Sequence, residues 1–400
     1  MRAWYMGLLA IFVACGGDET TGSGGGSPGS GGTGGQAASA GGAGGQGEGG
    51  AGVGGSGGAP QASAGLMLVG SGDFGGVTGT ISVWRLDYAT GQATELDSVS
   101  GGTLKSFMAV DEPRSLVHVG DESEGTITTY SLGSDGSLTE RATASSVVGN
   151  PVHLALDPSR SHLFVAHYGP GRTEVFGLDA SGYVAGSLDD VATGAQTHST
   201  LVPADGHLFA ASKGGDQIAQ LSFDGNALAV NAPVPTENGS GPRHMAMHPS
   251  GSWVYLVNEN NRTLDTFSYD AGAGTLSQVG GPISLDLPNA PTNGTGADIH
   301  VHPSGAYLYA SLRRVGGAPG ELVRCDLDGG GQPTAAARVE TQGQTPRNFD
   351  VTEDGRYVVV ANQGSDNVVI FATDAGGGLS ETQTISVPAH PFFVTVVDES

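Results

Sequence analysis

Short apolar runs separated by Gly- and Asp-rich turns recur along the chain from Leu66 to Ser400. One such run, followed in most copies by an acidic turn, begins at residues 81, 127, 173, 218, 264, 322 and 368. Successive copies are separated by 46, 46, 45, 46, 58 and 46 residues. Strand-rich units with a period in the forties are typical of β-propellers, so seven units predict seven blades.

Other all-β and repeat folds fit this pattern less well. A β-sandwich would not keep so constant a period, and a helical solenoid would space its apolar residues by about 3.6. The fold class is therefore all-β, a seven-bladed β-propeller. The last strand, "FFVTVVD", has no unit of its own, and we expect it to pair with "LMLVGSG" and close the ring. A Pro- and Gly-rich insertion at 282–296 accounts for the longest interval and is expected to overhang one rim.

The N-terminal segment has the pattern of an export signal. A basic Arg2 precedes an apolar stretch that is too short to span a bilayer and that ends at Cys15. This resembles a bacterial lipoprotein signal peptide over 1–14, with lipidation at Cys15. An ordinary secretory signal or an uncleaved anchor is the alternative. Each version places the protein outside the cytoplasm, and the lipoprotein version predicts a protein of the cell envelope with a lipid anchor, either periplasmic or on the cell surface.

Residues 15–65 are expected to form a disordered tether. About half of them are Gly, and they contain no Lys, Arg or aromatic residue. Such a segment cannot bury enough apolar surface to offset the entropy cost of ordering. The folded domain is therefore predicted at 66–400.

Charge and cysteine content narrow the possible partners. The formal net charge of −24 argues against nucleic acid as a partner. The chain has two cysteines, and with Cys15 lipidated no internal disulfide can form. Cys325 lies in a repeated strand and is expected to be buried. We expect a monomer that binds a small molecule and reaches the membrane only through its lipid anchor.

A second pattern places polar residues in pairs. In each unit an apolar strand, a turn such as "HPSG" and another apolar strand separate two residues by 15 positions. Because the start of one strand and the end of its antiparallel neighbour share one end of a hairpin, these pairs should converge at one mouth of the central channel. The pairs are Phe107/Glu122, His153/Tyr168, His198/Lys213, His244/Glu259, Asp298/Arg313 and Asn348/Gln363.

Two further guanidinium groups, those of Arg243 and Arg347, directly precede members of these pairs. Strand ends that meet solvent would explain the polarity of such positions. They would not explain several His and Arg side chains at one place in a chain with only 16 Lys and Arg residues. The pattern therefore predicts a functional funnel.

The hairpins resemble the lactonase family of seven-bladed propellers, which includes propeller-type 6-phosphogluconolactonases and carboxymuconate-lactonising enzymes. The resemblance covers 66–400 and is carried by "GPRHMAMHPSGSWVYLVNE", "GADIHVHPSGAYLYASLRR" and "TPRNFDVTEDGRYVVVANQGSDNVVIF", with weaker support from "GNPVHLALDPSRSHLFVAHYG". It implies a catalytic set of His198, Arg243, Glu259 and Arg313. Leu312 departs from the Asn that usually precedes the last of these.

Lactone hydrolysis needs a base for water and a cation where negative charge develops. His198 or His244 is suited to the base, and Arg243 or Arg313 to the oxyanion or an acidic substituent. Glu259 is expected to orient an imidazole, or to act as an acid if burial raises its pKa. The alternative for Arg243 and Glu259 is a structural salt bridge. The residues expected to bind substrate are His153, Tyr168, Lys213, His244, Asp298 and Arg347.

A metal or cofactor is not predicted. His300 and His302 share one strand face, which could suit a metal. However, His302 aligns with Asp157 and His248, which open turns, so a turn role is simpler. The sequence thus predicts a hydrolase of a sugar or carboxylated lactone, since export disfavours phosphorylated sugar lactones of the cytoplasm. The alternative is a non-catalytic envelope propeller that binds a glycan or a protein.

Overall fold

The computed structural model describes residues 62–288, 291 and 293–399. The predicted signal peptide at 1–14, the lipidation site Cys15 and nearly all of the predicted tether lie outside these residues. The described part forms seven antiparallel sheets, each with four strands on its main path. This confirms the all-β, seven-bladed propeller.

Each repeated apolar run predicted from the sequence is the third strand of its blade, counted from the central axis. Blade 1 combines the two ends of the domain, and blades 2 to 4 follow along the chain. Their strands are, for blade 1, β1 (Ala64–Ser71), β2 (Thr80–Asp87), β3 (Gln92–Ser100) and the innermost β30 (Pro391–Asp398); for blade 2, β4 (Lys105–Asp111), β5 (Leu116–Asp121), β6 (Thr126–Leu132) and β7 (Leu138–Ser145); for blade 3, β8 (Pro151–Leu156), β9 (His162–His167), β10 (Arg172–Leu178) and β11 (Val184–Ala192); and for blade 4, β12 (Thr197–Leu201), β13 (Leu208–Ser212), β14 (Gln217–Phe223), β15 (Leu228–Val230) and β16 (Val234–Pro235).

Blades 5 to 7 complete the ring, and a short 3-10 helix, Glu112–Arg114, lies in the first turn of blade 2. The strands are, for blade 5, β17 (Pro242–Met247), β18 (Trp253–Asn258), β19 (Thr263–Asp270), β20 (Thr275–Gln278) and β21 (Ile283–Ser284); for blade 6, β22 (Thr295–Val301), β23 (Tyr307–Arg313), β24 (Glu321–Leu327) and β25 (Pro333–Glu340); and for blade 7, β26 (Pro346–Val351), β27 (Tyr357–Asn362), β28 (Asn367–Thr373) and β29 (Leu379–Ser386).

The apolar core lies between blades rather than inside one central mass. Seven clusters of buried side chains each join two neighbouring blades. The second strand of a blade is covered on both faces, so it reads as a nearly continuous apolar run, as in β27. Cys325 is fully buried in the cluster between blades 5 and 6, as predicted.

Pairing of the two chain ends closes the ring. Strand β30 pairs antiparallel with β1 in the register Leu66↔Val397, which confirms the predicted closure. The folded domain begins slightly before the predicted boundary of 66, because Ala64 and Gly65 already pair with β2. Before them, the backbone oxygen of Ala62 accepts a hydrogen bond of 2.9 Å from Arg356 Nη2.

The insertion at 282–296 differs from the expected overhang where the structure describes it. Ile283 and Ser284 pair with β19, and Leu285 is fully buried. Asp286 then accepts hydrogen bonds from Arg262 Nε at 2.9 Å and Arg314 Nη1 at 3.0 Å. The start of the insertion is therefore fixed against its own blade, because its apolar residue completes the core between blades 5 and 6.

Candidate active site

A β-bulge interrupts the start of each of the seven innermost strands. The register shifts lie at Lys105/Phe107, Pro151/His153, Thr197/Ser199, Pro242/His244, Gly296/Ile299 and Pro346/Asn348, and opposite Gly70/Ser71 in blade 1. A bulge inserts an extra residue and re-aims the side chains beside it. In blades 3 and 7 this directs two consecutive residues to different places: Val152 and Arg347 line an upper pocket, whereas His153 and Asn348 line a cavity in the central channel.

His198 occupies a different position from the one predicted. It was aligned with His153 and His244, but the register shows that His198 is itself the bulged residue and that Ser199 is their counterpart. The hairpin of β12 and β13 is one residue shorter than its equivalents, which shifts the count. His198 therefore belongs with Arg243 and Arg347, the residues predicted to precede the ring.

The upper pocket has a volume of about 320 Å³. It lies where the bulged residues meet the residues that follow the second strands. Of the predicted site residues, it brings together Tyr168, His198, Glu259, Arg313 and Arg347. The other residues that line it are Phe74, Glu122 and Val152.

Glu259 is held by three cations at this pocket. Its carboxylate lies 2.9 Å from Lys213 Nζ, 3.1 Å from Arg243 Nε and 3.2 Å from Arg313 Nη2. Burial alone would raise the pKa of Glu259, but these charges outweigh it and lower the pKa to about 2. Glu259 is therefore ionised at physiological pH, and the raised pKa on which its role as an acid depended is absent. The predicted salt bridge with Arg243 is present.

The cations of this cluster are also fixed by hydrogen bonds to backbone oxygens and to Tyr168. Arg243 is almost completely buried and donates from Nη1 to the oxygen of Ala297. Arg313 Nη2 donates to the oxygen of Gly296 at 3.0 Å, and Lys213 Nζ donates to Tyr168 Oη at 3.3 Å. Burial, together with Arg313 and Arg347, lowers the pKa of Arg243 to about 9, so it remains charged. This cluster forms a rigid, positively charged wall.

Arg347 also lines the upper pocket, and its guanidinium is available to a ligand. It has no hydrogen bond or ion pair with any residue that the structure describes, and its guanidinium lies 4.5 Å from the ring centre of Phe392. Stacking on an aromatic face fixes the plane of a guanidinium while leaving its edge free to donate. Arg347 can therefore bind an oxygen anion in the pocket.

His198 is a buried imidazole beside these charges. It is 6% exposed, and its ring packs edge-on against Tyr168 and His244, with centroids 5.5 Å and 5.1 Å away. Burial first, and then the charge of Arg243, hold the pKa of His198 well below its usual value. The ring is therefore neutral at physiological pH, and its Nδ1 has no hydrogen-bond partner among the described residues.

The predicted substrate-binding residues His153, His244 and Asp298 do not reach the upper pocket. They line a second cavity of about 320 Å³ in the central channel, together with His300 and other residues. A small third cavity lies between them and shares His198 and Arg347 with the upper pocket and His244 and Asn348 with the channel cavity. The expectation that all pairs meet at one mouth is therefore wrong for these three, because the bulge directs the residue that follows it into the channel.

Asp298 joins three blades within this channel. Its Oδ1 accepts from His244 Nδ1 at 2.6 Å, and its Oδ2 accepts from Asn348 Nδ2 at 2.5 Å and from the backbone N–H of Phe349 at 3.1 Å. His153 is held separately, 3.2 Å from Thr200 Oγ1 and stacked on Phe107. With its carboxylate oxygens occupied by the two adjacent blades, Asp298 acts as a structural link between the inner strands of blades 5, 6 and 7.

His300 and His302 have separate environments, which argues against their pairing as metal ligands. His300 faces the channel, with Nε2 3.4 Å from Asp298 and Nδ1 3.6 Å from Asp350. His302 opens a turn, as predicted: Nδ1 lies 2.8 Å from Ser304 Oγ, and Nε2 lies 3.0 Å from the oxygen of Gly355 in the next blade. His248 makes the equivalent contacts with Ser250 and Gly305.

Sequence reasoning placed Glu122 in the ring of polar pairs but did not select it as a functional residue. The signal was present, since Glu122 occupies the same position in its blade as Glu259. Phe74 was missed because it lies on the loop between β1 and β2, outside the hairpins that were aligned. Its side chain is 66% exposed at the pocket mouth.

Comparison with known proteins agrees with this architecture. Residues 67–396 match the family model described as lactonase, 7-bladed beta-propeller. A 6-phosphogluconolactonase of Pectobacterium carotovorum subsp. carotovorum (strain PC1) is 30% identical over 330 residues, which is 79% of this chain and 95% of the relative. One from Serratia proteamaculans (strain 568) is 28% identical over 324 residues, with the same shares covered.

Among solved structures, the periplasmic gluconolactonase of Pseudomonas aeruginosa is similar, with a TM-score of 0.76 and 26% identity. The match covers 84% of this chain and 99% of that one. In the part of the chain that the structure describes, no helix is long and apolar enough to cross a membrane. On the family model and the relatives together, the chain belongs to the lactonase family of seven-bladed β-propellers.

Proposed function

We propose that this protein is a lactone hydrolase that opens a sugar or carboxylated lactone in the upper pocket. The observation that carries the proposal is the available guanidinium of Arg347 beside neutral His198 and the wall around Glu259. Hydrolysis of a lactone moves negative charge onto the carbonyl oxygen and then produces a carboxylate. A pocket with surplus fixed positive charge stabilises both species.

The roles follow from which groups already have partners. His198 accepts a proton from the attacking water, and Arg347 donates to the carbonyl oxygen as charge develops on it. Arg243, Arg313 and Lys213 are held by Glu259 and supply a fixed field around that oxygen. Tyr168 contacts both Lys213 and His198, and so shapes the floor of the pocket.

The place of action is proposed to be the cell envelope, with a lipid on Cys15 and a Gly-rich tether ahead of the propeller. The sequence pattern around Cys15 supports this, as does the similarity to a protein described as a periplasmic gluconolactonase. A lactone of an unphosphorylated sugar acid fits that compartment, and so does a carboxylated lactone from outside the cell.

A panel of lactones tests the proposal. Purified protein is assayed with glucono-1,5-lactone, its 6-phosphate and a carboxylated muconolactone, after subtraction of spontaneous opening. We expect turnover of one or more, and a fall in kcat/KM of about 10²-fold or more in Arg347→Gln. The matched control is Arg141→Gln, which removes an exposed positive charge from the outer strand β7. Absence of turnover on the whole panel would instead favour a propeller that only binds its ligand.

A further inference from the structure

Glu122 is a buried carboxyl group that no internal partner explains. It follows β5 at the position that Glu259 occupies after β18, and it lines the upper pocket. The residue is 8% exposed, and its Oε2 is buried without a hydrogen-bond partner among the described residues. Buried carboxyl oxygens are normally satisfied, so an unsatisfied one at a pocket indicates a role toward a ligand.

The surroundings of Glu122 differ from those of Glu259. Burial raises the pKa of Glu122 to about 7, against the lowering effect of Arg347 and Arg243. Its neighbour Asp121 adds to the increase, although Asp121 itself is paired with Lys105 at 3.1 Å. The two carboxyl groups of one pocket therefore differ in protonation at neutral pH, with Glu259 ionised and Glu122 able to carry a proton.

Resting on the proposed function, we infer that Glu122 is the general acid that protonates the ring oxygen as the lactone opens. The bond from the carbonyl carbon to the ring oxygen breaks, its electron pair goes to that oxygen, and the oxygen takes the proton of Glu122. By then the oxygen of the attacking water has formed a bond to the carbonyl carbon, and His198 has taken one of the protons of that water. The new carboxylic acid ionises and returns a proton to Glu122, and His198 releases its own proton to solvent.

This step needs an acid, because the leaving group would otherwise be an alkoxide. Glu259 cannot supply the proton, since its pKa is about 2. His198 enters the reaction without a proton, since its pKa lies well below the usual value, and in the inferred sequence the proton that it takes from the attacking water goes to solvent. Glu122 lies in the same pocket, is shielded from water and has an oxygen free of other partners, so it is placed to donate.

The test compares the pH dependence of kcat/KM in the parent, Glu122→Gln and Glu124→Gln. Glu124 is an exposed carboxylate two residues away on the same loop, so it controls for the loss of one negative charge. Because the acid must be protonated, parent kcat/KM should fall as the pH rises through about 7. Glu122→Gln should lower kcat by about 10²-fold or more and remove this fall. Glu124→Gln should match the parent.

A structural role for Glu122 would leave the pH profile of Glu122→Gln unchanged, and that result would overturn the inference while lactonase activity stands. A parent without turnover would overturn both proposals.

An infrared difference spectrum between parent and Glu122→Gln gives a readout without substrate. It should show a protonated carboxyl band that titrates near neutral pH. Titration in the ordinary carboxyl range near pH 4 would contradict the assignment.

Discussion

At the scale of the residue, the upper pocket separates groups that hold one another from groups that are left free. Glu259 shares its carboxylate among three cations, whereas, within the described residues, Glu122 Oε2 and His198 Nδ1 have no hydrogen-bond partner and Arg347 is stacked on Phe392 without an ion pair. Removing one member of a buried charge cluster leaves the others uncompensated, which costs far more than an exposed ion pair. The first set therefore fixes the pocket, and the second set is available to a substrate.

Replacement of Glu259 by Gln should reveal how much the ionised carboxylate contributes to stability, because it changes the pH dependence of the free energy of unfolding. The pKa of Glu259 falls from an ordinary value of 4.5 to about 2 on folding. Its contribution, on the order of 3 kcal/mol, is therefore complete above about pH 4.5 and is lost as the pH falls through about 2. Urea unfolding from pH 7 down to pH 3 should show a smaller loss of stability in Glu259→Gln than in the parent.

The exposed Glu95 gives a matched control for that comparison, since Glu95→Gln also removes one carboxylate, from strand β3. Its unfolding free energy should follow that of the parent at each pH. Equal acid sensitivity in Glu259→Gln and the parent would show that the cation cluster does not lower the pKa of Glu259 in the folded protein.

At the scale of the element, the innermost hairpin of a blade has a functional end and a structural end. The bulges and the residues after the second strands lie at the pocket end. The turns at the other end link neighbouring blades, as His248 does with Gly305 and His302 with Gly355. Stability and activity should therefore respond to changes at opposite ends of the same strands.

Substitutions of two glycines in equivalent turns distinguish the cost of backbone strain from the cost of losing this contact between blades. Gly355 has φ +73°, and a Cβ there would lie 2.2 Å from His302 Nε2. Gly251 has φ +70°, with no atom within 4 Å of such a Cβ. Ala at either position suffers the left-handed backbone, about 1 kcal/mol, but only Gly355→Ala also displaces a neighbouring blade.

Thermal unfolding should therefore show a clearly larger decrease in the midpoint for Gly355→Ala than for Gly251→Ala. Lactone turnover below the transition should be retained by both, because neither turn reaches the upper pocket. Equal decreases in the two variants would mean that the His302 contact does not hold the blades together.

The elements also show where the sequence was informative and where it was not. The repeat spacing predicted the blades, because every unit buries the same strands against its neighbours. It misplaced His198, because a hairpin that is one residue shorter changes the register without disturbing the period. The bulges left no separate sequence signal, so His244 and Asp298 were assigned to the mouth instead of the channel.

At the scale of the whole molecule, the ring depends on the C-terminal strand. Strand β30 is the innermost strand of blade 1, and it also contacts β26, the innermost strand of the neighbouring blade 7. Thr395 Oγ1 donates to Asp350 at 2.8 Å, and the backbone N–H of Val394 donates to Asn348 at 2.7 Å. One strand thus supplies both the closure of the sheet and part of the channel wall.

A chain that ends at Val387 should lose cooperative unfolding, because β1 would become an exposed edge and the channel would open on one side. Differential scanning calorimetry should show no sharp transition for this variant. A chain that lacks only Glu399 and Ser400 is the control and should unfold as a unit. A sharp transition in the shorter chain would show that six complete blades and an open seventh are sufficient.

The measurement that tests the central claim most directly is lactone turnover by the parent, His198→Asn and His153→Asn. The two substitutions are chemically the same, but one falls in the upper pocket and the other in the channel. We predict that His198→Asn loses turnover by about 10²-fold or more and that His153→Asn, where it remains folded, retains it. Loss in His153→Asn with retention in His198→Asn would contradict the account and move the reaction into the channel.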